Sequence, residues 1–277
     1  MVVAVSDVVD HLSTLPPFPK ITAKLISLLN DPEVTVDEFT AVISSDPSLM
    51  MKIIQLANSP FYMVSRRIES VRRAIFVLGF KTIKTITTAV ALQKGIASYR
   101  PRDDVFDFVK FWEHSYATAI SASCLAEKNN KKDRDKLYLA GLIHDVGKII
   151  LAYHWPESWK QVTLRIQNSE ENFNDIESMF FSLGHAELAA KLCGNWQFPD
   201  DIVQMIEYHN KPDEAPAEYA DISRLLYLAD NIAISQGYEF PKGENGSDSP
   251  DLTGLVEMVG DLKSGVEYQL KSFGGHK

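Results

Sequence analysis

The chain has 277 residues, 45% of them hydrophobic, and carries 37 acidic against 28 basic side chains for a formal net charge of −9. That length supports one large domain or two modest ones with a substantial core, and the acidic balance argues against a dedicated nucleic-acid binder, whose affinity rests on phosphate neutralisation. The two cysteines, Cys124 and Cys193, are isolated, which excludes a disulfide framework or a Cys-based zinc site, while Met1-Val-Val-Ala-Val5 is too short for a secretion signal and no apolar run approaches a membrane span. A cytoplasmic protein making no membrane contact is expected.

Taken in chain order, the pattern is helical nearly throughout, with no sustained alternation of period two. Helices are predicted over about 6–13, 19–29, 36–44, 47–57, 70–78 and 81–98. Thr35 with Glu38 forms a capping box, Asp46-Pro47 supplies an N-cap and first helical residue, and Ser70 precedes Val71. The polar, proline-bearing stretch Tyr99-Arg-Pro-Arg-Asp-Asp104 is the expected lobe boundary, giving a first lobe of residues 1–104. Between Arg66 and Lys84, six basic residues face the single acid Glu69, a pattern read as a solvated helix face.

A second lobe, 105–236, is predicted to contain helices near 106–127, 134–153, 157–168, 174–182, 185–194, 200–209 and 218–236. Residues 237–277 then form a glycine-rich polar loop, expected to be mobile, and an amphipathic helix carrying Leu252, Leu255, Val256, Val259, Leu262, Val266, Leu270 and Phe273. That apolar stripe must pack on the chain's own body or on a second subunit, so oligomerisation through the C-terminal helix is open.

Ionisable residues fall on faces that should be buried. In Gly141-Leu-Ile-His-Asp-Val-Gly-Lys-Ile-Ile150, the apolar residues Leu142, Ile143, Val146, Ile149 and Ile150 mark an interior helix, with Lys148 four residues after His144. His114 shares a side with Phe111, Thr118 and Leu125, His185 with Leu188 and Leu192, and Asp230 with Leu226 and Ala233; His209 ends the stripe Ile202, Met205, Ile206. A lone histidine on such a face is ordinarily a hydrogen-bonded core residue, but a buried carboxylate needs a cation or strong donors. Four histidines and two aspartates aimed into one lobe supply the ligand types of Fe, Mn, Ni, Co and Zn sites. His11, His154 and His276 lack such partners.

The order His114, His144-Asp145, Asp230 resembles the H…HD…D signature of the HD phosphohydrolase superfamily, in the local contexts Trp112-Glu-His-Ser115, Gly184-His-Ala-Glu187 and Leu228-Ala-Asp-Asn231. With His185 and His209 added, the set resembles the two-metal arrangement of the HD-GYP branch. Leu15-Pro-Pro-Phe-Pro19, Ile43-Ser-Ser-Asp-Pro-Ser-Leu49, Gln55-Leu-Ala-Asn-Ser-Pro60 and Ala74-Ile-Phe-Val-Leu-Gly79 are similar to the HDOD family, a signalling-associated relative, over residues 8–235. The resemblance implies an all-α, two-lobed HDOD fold with an HD-type helical bundle. It also implies a divalent-metal site formed by His114, His144, Asp145, His185, His209 and Asp230, with Asp145 bridging and Lys148 contacting phosphate.

The chain departs from HD-GYP enzymes in three places: Asn210-Lys-Pro-Asp-Glu-Ala-Pro216 replaces the GYP loop, Tyr208-His209 replaces paired histidines, and Lys110 stands where some carry a glutamate ligand. The expectation is therefore a regulatory protein with a retained metal site, whose partner is a signalling protein or a phosphate-containing small ligand. The alternatives are a metal-dependent phosphohydrolase acting on a nucleotide or other phosphoester, with Lys148 and Asp145 catalytic, and a DNA- or partner-binding helical module without metal.

Overall fold

The computed structural model describes residues 2–4, 7, 20–59, 62–129, 134–243 and 250–272. The first predicted helix (6–13), apart from residue 7, and the Leu15–Pro19 stretch lie outside them, as do His11, Phe273 and His276. Among the described residues, the N-terminal part contains the helices α1 (Lys20–Asn30), α2 (Val36–Ser44), α3 (Pro47–Ala57), α4 (Val71–Leu78) and α5 (Phe80–Ile96). Their starts follow from local chemistry. The Thr35 hydroxyl accepts from Glu38 N while the Glu38 carboxylate returns to Thr35 N, and Asp46 accepts from Ser48 N and Leu49 N at the head of α3.

Asp46 does two jobs, because Lys94 of α5 also reaches its carboxylate at 2.7 Å and ties α3 to α5. Asp46→Ala is expected to cost about 1 kcal/mol through the lost cap, read as a lowered denaturation midpoint. Lys94, with the capping amides, holds the Asp46 carboxyl down from its ordinary 3.8 to about 2. A depressed carboxyl stabilises the fold above its unfolded pKa, so this contribution is complete above about pH 4 and is lost as pH falls through about 2. The same titration on the Asp46→Ala variant should lack that component.

Helix α6 (Phe108–Lys128) runs through the centre of the second half, buried on nearly every side, and packs against α7 (Arg134–Ile143) and α13 (Ala220–Ser235). Between these lie α8 (Val146–His154), α9 (Pro156–Gln167), α10 (Phe173–Ser178), α11 (His185–Asn195) and α12 (Asp200–Glu207). Two interior glycines set the approach of the helices. A Cβ on Gly141 would sit 2.7 Å from Ala119 Cα, so only glycine lets α7 cross α6 this closely, and a Cβ on Gly147 would overlap the His185 carbonyl of α11.

The structure corrects four expectations. Residues 134–153 are not one helix, because the ladder breaks at His144-Asp145 and Asp145 takes the N-cap place of α8. The helix predicted to 209 stops at Glu207, leaving His209 in the following turn. Residues 237–243 are packed down: Phe240 is buried, with its ring 4.8 Å from that of Phe106 and 5.7 Å from that of Phe111. An aromatic anchor thus overrides the polar, glycine-rich composition. The C-terminal helix is split into α14 (Leu255–Val259) and α15 (Leu262–Ser272) at Gly260, whose φ of 73° no helix accommodates. Leu262 and Val266 of α15 are buried, and α15 packs on α6 of its own body.

Among the described residues there is no strand, only one isolated parallel bridge joining Val3 to Phe181. No helix among them is long and apolar enough to cross a membrane.

Candidate metal centre

All seven residues singled out in the sequence meet at one place. His114, His144, Asp145, Lys148, His185 and His209 are at most 1% exposed and Asp230 is 8% exposed. Each reaches the centre from a different structural position. His114 comes from the middle of α6, Asp230 from α13, Lys148 from the first turn of α8 and His185 from the first turn of α11, while His144 and His209 follow the ends of α7 and α12. These last two share one local device. Each ring folds back on the carbonyl three residues earlier, His144 Nδ1 on Gly141 O at 2.8 Å and His209 Nδ1 on Ile206 O at 2.7 Å, satisfying a carbonyl left over at a helix C-terminus.

The break at His144-Asp145 has a geometric consequence. In a continuous helix consecutive side chains diverge by roughly 100°, and here the turn lets both point into the centre. Asp145 is the hub. Its Oδ2 lies 3.2 Å from His114 Nε2, 3.4 Å from His144 Nε2 and 2.8 Å from Lys148 Nζ, and its Oδ1 lies 3.3 Å from His185 Nε2 and 3.8 Å from His209 Nε2. Asp230 Oδ1 closes the first side, 3.1 Å from His114 Nε2 and 3.4 Å from His144 Nε2, and accepts from the Thr118 hydroxyl at 3.4 Å.

The far edge of every imidazole is spoken for. His114 Nδ1 donates to Tyr238 O at 2.7 Å and His185 Nδ1 to the Glu177 carboxylate at 2.8 Å, alongside the two helix-end carbonyls. Because these acceptors can only accept, each Nδ1 carries a proton, and the atom each ring turns to the centre is Nε2, the one a metal ligand would offer. Two overlapping sets of donor atoms result, His114/His144/Asp145 and Asp145/His185/His209, each with its atoms within 4.8 Å of one another. Neither Asp145 oxygen receives an aligned hydrogen bond, although the residue is buried. The donor set therefore fits divalent cations, which would take up those oxygens.

The electrostatics of the centre set burial against close opposite charges. Burial alone would lower the His114 pKa, but the Asp230 and Asp145 carboxylates outweigh it and hold the imidazolium up to about 10. Burial likewise opposes ionisation of Asp145, yet His144, Lys148 and His114 hold its carboxyl well below the usual range, and His114 does the same for Asp230. His209 behaves oppositely: burial and its neighbours His144 and His185 push it down to about 3, leaving a neutral ring. His185 is raised, because Glu177 outweighs the burial.

Several residues at the centre escaped the sequence reading. Glu177 is buried, with Oε2 on both Nδ1 and the backbone N of His185. Its trace was the spacing Phe173, Glu177, Phe181, which puts one acid among aromatic residues on an inward face. Asn210 places its amide 3.1 Å from His185 Nε2. Tyr238 and Phe240 contribute main-chain carbonyls, which no side-chain pattern announces; Phe240 O accepts from Lys148 Nζ at 2.9 Å. Lys110 stays on the surface, paired with Glu113 at 2.7 Å, and His154 lies at the far end of α8.

The HDOD domain family model matches residues 15–212. The chain belongs to the HDOD family. Among solved structures similar to this HDOD chain is an HDOD domain protein of unknown function from Geobacter sulfurreducens, 25% identical with a TM-score of 0.77, covering 98% of this chain and 88% of that one. Another is named "Putative signal transduction protein", from Marinobacter aquaeolei, 26% identical with a TM-score of 0.74, covering 96% and 60%. A third, a "Putative phosphohydrolase" from Shewanella amazonensis, shares the fold at 23% identity and a TM-score of 0.78, covering 96% and 97%. An uncharacterized protein of Treponema pallidum is 24% identical over 232 residues, 83% of this chain and 44% of the relative, so this HDOD chain spans less than half that protein's length.

Proposed function

We propose that this HDOD protein is a regulatory module built round a divalent-metal site with two adjacent positions, His114/His144/Asp145/Asp230 and Asp145/His185/His209. The observation that carries the reading is the convergence of four imidazole Nε2 atoms on one buried carboxylate, with every Nδ1 tied off behind. Bound ions would supply positive charge and Lewis acidity at Asp145. The chain's own residues supply the rest. Asp145 joins α8 to both positions, Asp230 and Thr118 fix α13 against α6, and the carbonyls of Tyr238 and Phe240 clamp residues 237–243 onto the centre. Occupancy by metal thereby bears on the packing of α6, α8, α11, α13 and this segment together, which is what a regulatory module needs. A signalling protein is the partner proposed.

Hydrolysis of a phosphoester is the second reading, favoured by Asp145 presenting one oxygen to each donor set. Against it stands Lys148, whose ammonium is engaged by Asp145 at 2.8 Å, by Phe240 O at 2.9 Å and by the face of Phe173 at 4.8 Å, rather than presented to an incoming phosphate. The deciding experiment is elemental analysis of the purified protein, followed by assays on generic phosphoesters, nucleotides and cyclic dinucleotides with Mn, Fe, Co and Ni. Bound metal without turnover is expected. Turnover abolished by Lys148→Met would establish the enzyme instead, and a protein that takes up none of these ions would refute the metal site.

A further inference from the structure

Beside the centre lies a cavity of about 320 Å³ whose chemistry is not that of a phosphate site. Its wall carries the carboxylates of Glu177, Glu187, Glu207 and Glu214 against the single ammonium of Lys211, an excess of three negative charges. An anionic substrate would be repelled there. Glu187 and Glu214 are exposed and Glu207 is half-buried, so these three form the outer part of the wall.

The inner wall supplies an independent indication of what the cavity takes. Glu177 is only 2% exposed; its Oε2 is committed to His185 Nδ1 and His185 N, while its Oε1 has no hydrogen-bond partner. A buried carboxylate oxygen without a donor calls for a cation. Room for the carboxylate comes from Gly184, where a Cβ would stand 3.0 Å from Glu177 Oε2. The His185 ring spans the partition: its Nδ1 edge meets Glu177, which lines the cavity, and its Nε2 edge lies 3.3 Å from Asp145 Oδ1. Asn210, also on the cavity wall, covers that Nε2 with an amide 3.1 Å away and is held by Asn174 at 3.1 Å.

The geometry points to this cavity as the port through which a hydrated divalent cation is captured and passed to the Asp145/His185/His209 position, with Glu177 as the inner carboxylate that receives it. The inference rests on the metal reading above and adds to it a route, an order of contacts and a further cation-binding residue. The outer carboxylates raise the local cation concentration, Glu177 Oε1 accepts the ion as it sheds water, and rotation of the Asn210 amide uncovers His185 Nε2. The port is selective by charge: it admits cations while the centre stays closed to phosphate from this side.

The test uses Co²⁺ and the full chain stripped of metal by chelation, following the visible absorption of bound Co²⁺ in a stopped-flow instrument. The triple variant Glu187→Gln, Glu207→Gln, Glu214→Gln changes only the outer wall. At low salt its Co²⁺ association is expected to slow by roughly tenfold, with the final stoichiometry unchanged. At about 1 M salt, where screening acts over roughly 3 Å, the two proteins should load at the same rate. In Glu177→Gln the affinity of one of two bound ions should fall by about 10- to 100-fold while the other is retained. Equal association rates at every salt concentration, in a wild-type protein that does bind Co²⁺, would overturn the port and leave the metal reading standing. No Co²⁺ uptake by the wild type would overturn both.

Discussion

Asp145→Ala is expected to abolish divalent-metal retention at both positions at once, a loss exceeding the roughly 100-fold upper range for residues that only support a ligand. The reason is the hub geometry, one oxygen facing His114 and His144 and the other facing His185 and His209. Elemental analysis of the purified variant should show neither ion, where a substitution confined to His209 should leave one. A second effect appears without metal. The Lys148 ammonium, buried 2.8 Å from Asp145 Oδ2, loses its counter-ion, and an uncompensated buried charge costs about 3–5 kcal/mol. The metal-free variant should therefore unfold at lower denaturant than the metal-free wild type, and Asp145→Ala combined with Lys148→Met should recover part of that loss. Retention of two ions in Asp145→Ala would contradict the shared-carboxylate geometry.

Gly147→Ala is the second large effect, although it adds one methyl group and touches no ligand side chain. Its Cβ would overlap the His185 carbonyl oxygen and lie 2.8 Å from His185 C and 2.9 Å from His185 Cα. These are backbone atoms of α11, so α8 and α11 must separate. Overpacking of this kind costs about 1–3 kcal/mol and exceeds the roughly 1 kcal/mol that alanine gains in helix propensity. Separation also draws His185 Nε2 away from Asp145 Oδ1, so metal content is expected to fall by the ion at the His185 position. Gly194, in α11, is the control: nothing lies within 4 Å of a Cβ built there, and Gly194→Ala should be neutral or stabilising by up to about 1 kcal/mol. Calorimetry with elemental analysis of the two variants checks both statements, and equal behaviour would refute the close-approach argument.

The legible part of the fold was whatever local chemistry decides. The capping box at Thr35, the Asp46-Pro47 start and the Ser70 cap are short-range hydrogen-bond arrangements, and each appears as the sequence implies. Less legible were the stops within apolar runs. Leu142, Ile143, Val146, Ile149 and Ile150 keep helical spacing across His144-Asp145, yet α7 ends and α8 begins between them. A hydrophobic period reports burial, and both helices are buried on either side of the break. The segment 237–243 misled in the opposite sense, since its glycines and charges hid the buried ring of Phe240, which fixes it against α6.

By itself the sequence determined an all-helical chain and an inventory of imidazoles and carboxylates on inward faces, because side-chain direction about a helix axis follows from the residue period. The tertiary structure decided which of those groups share one centre, that Asp145 stands between two donor sets, that Glu177 and Asn210 belong with them, and that Lys148 is engaged within the core. Those outcomes depend on distances between helices far apart in the chain, fixed by the close approaches at Gly141 and Gly147 and by the main-chain carbonyls of Tyr238 and Phe240. No local period encodes such distances; long-range packing sets them.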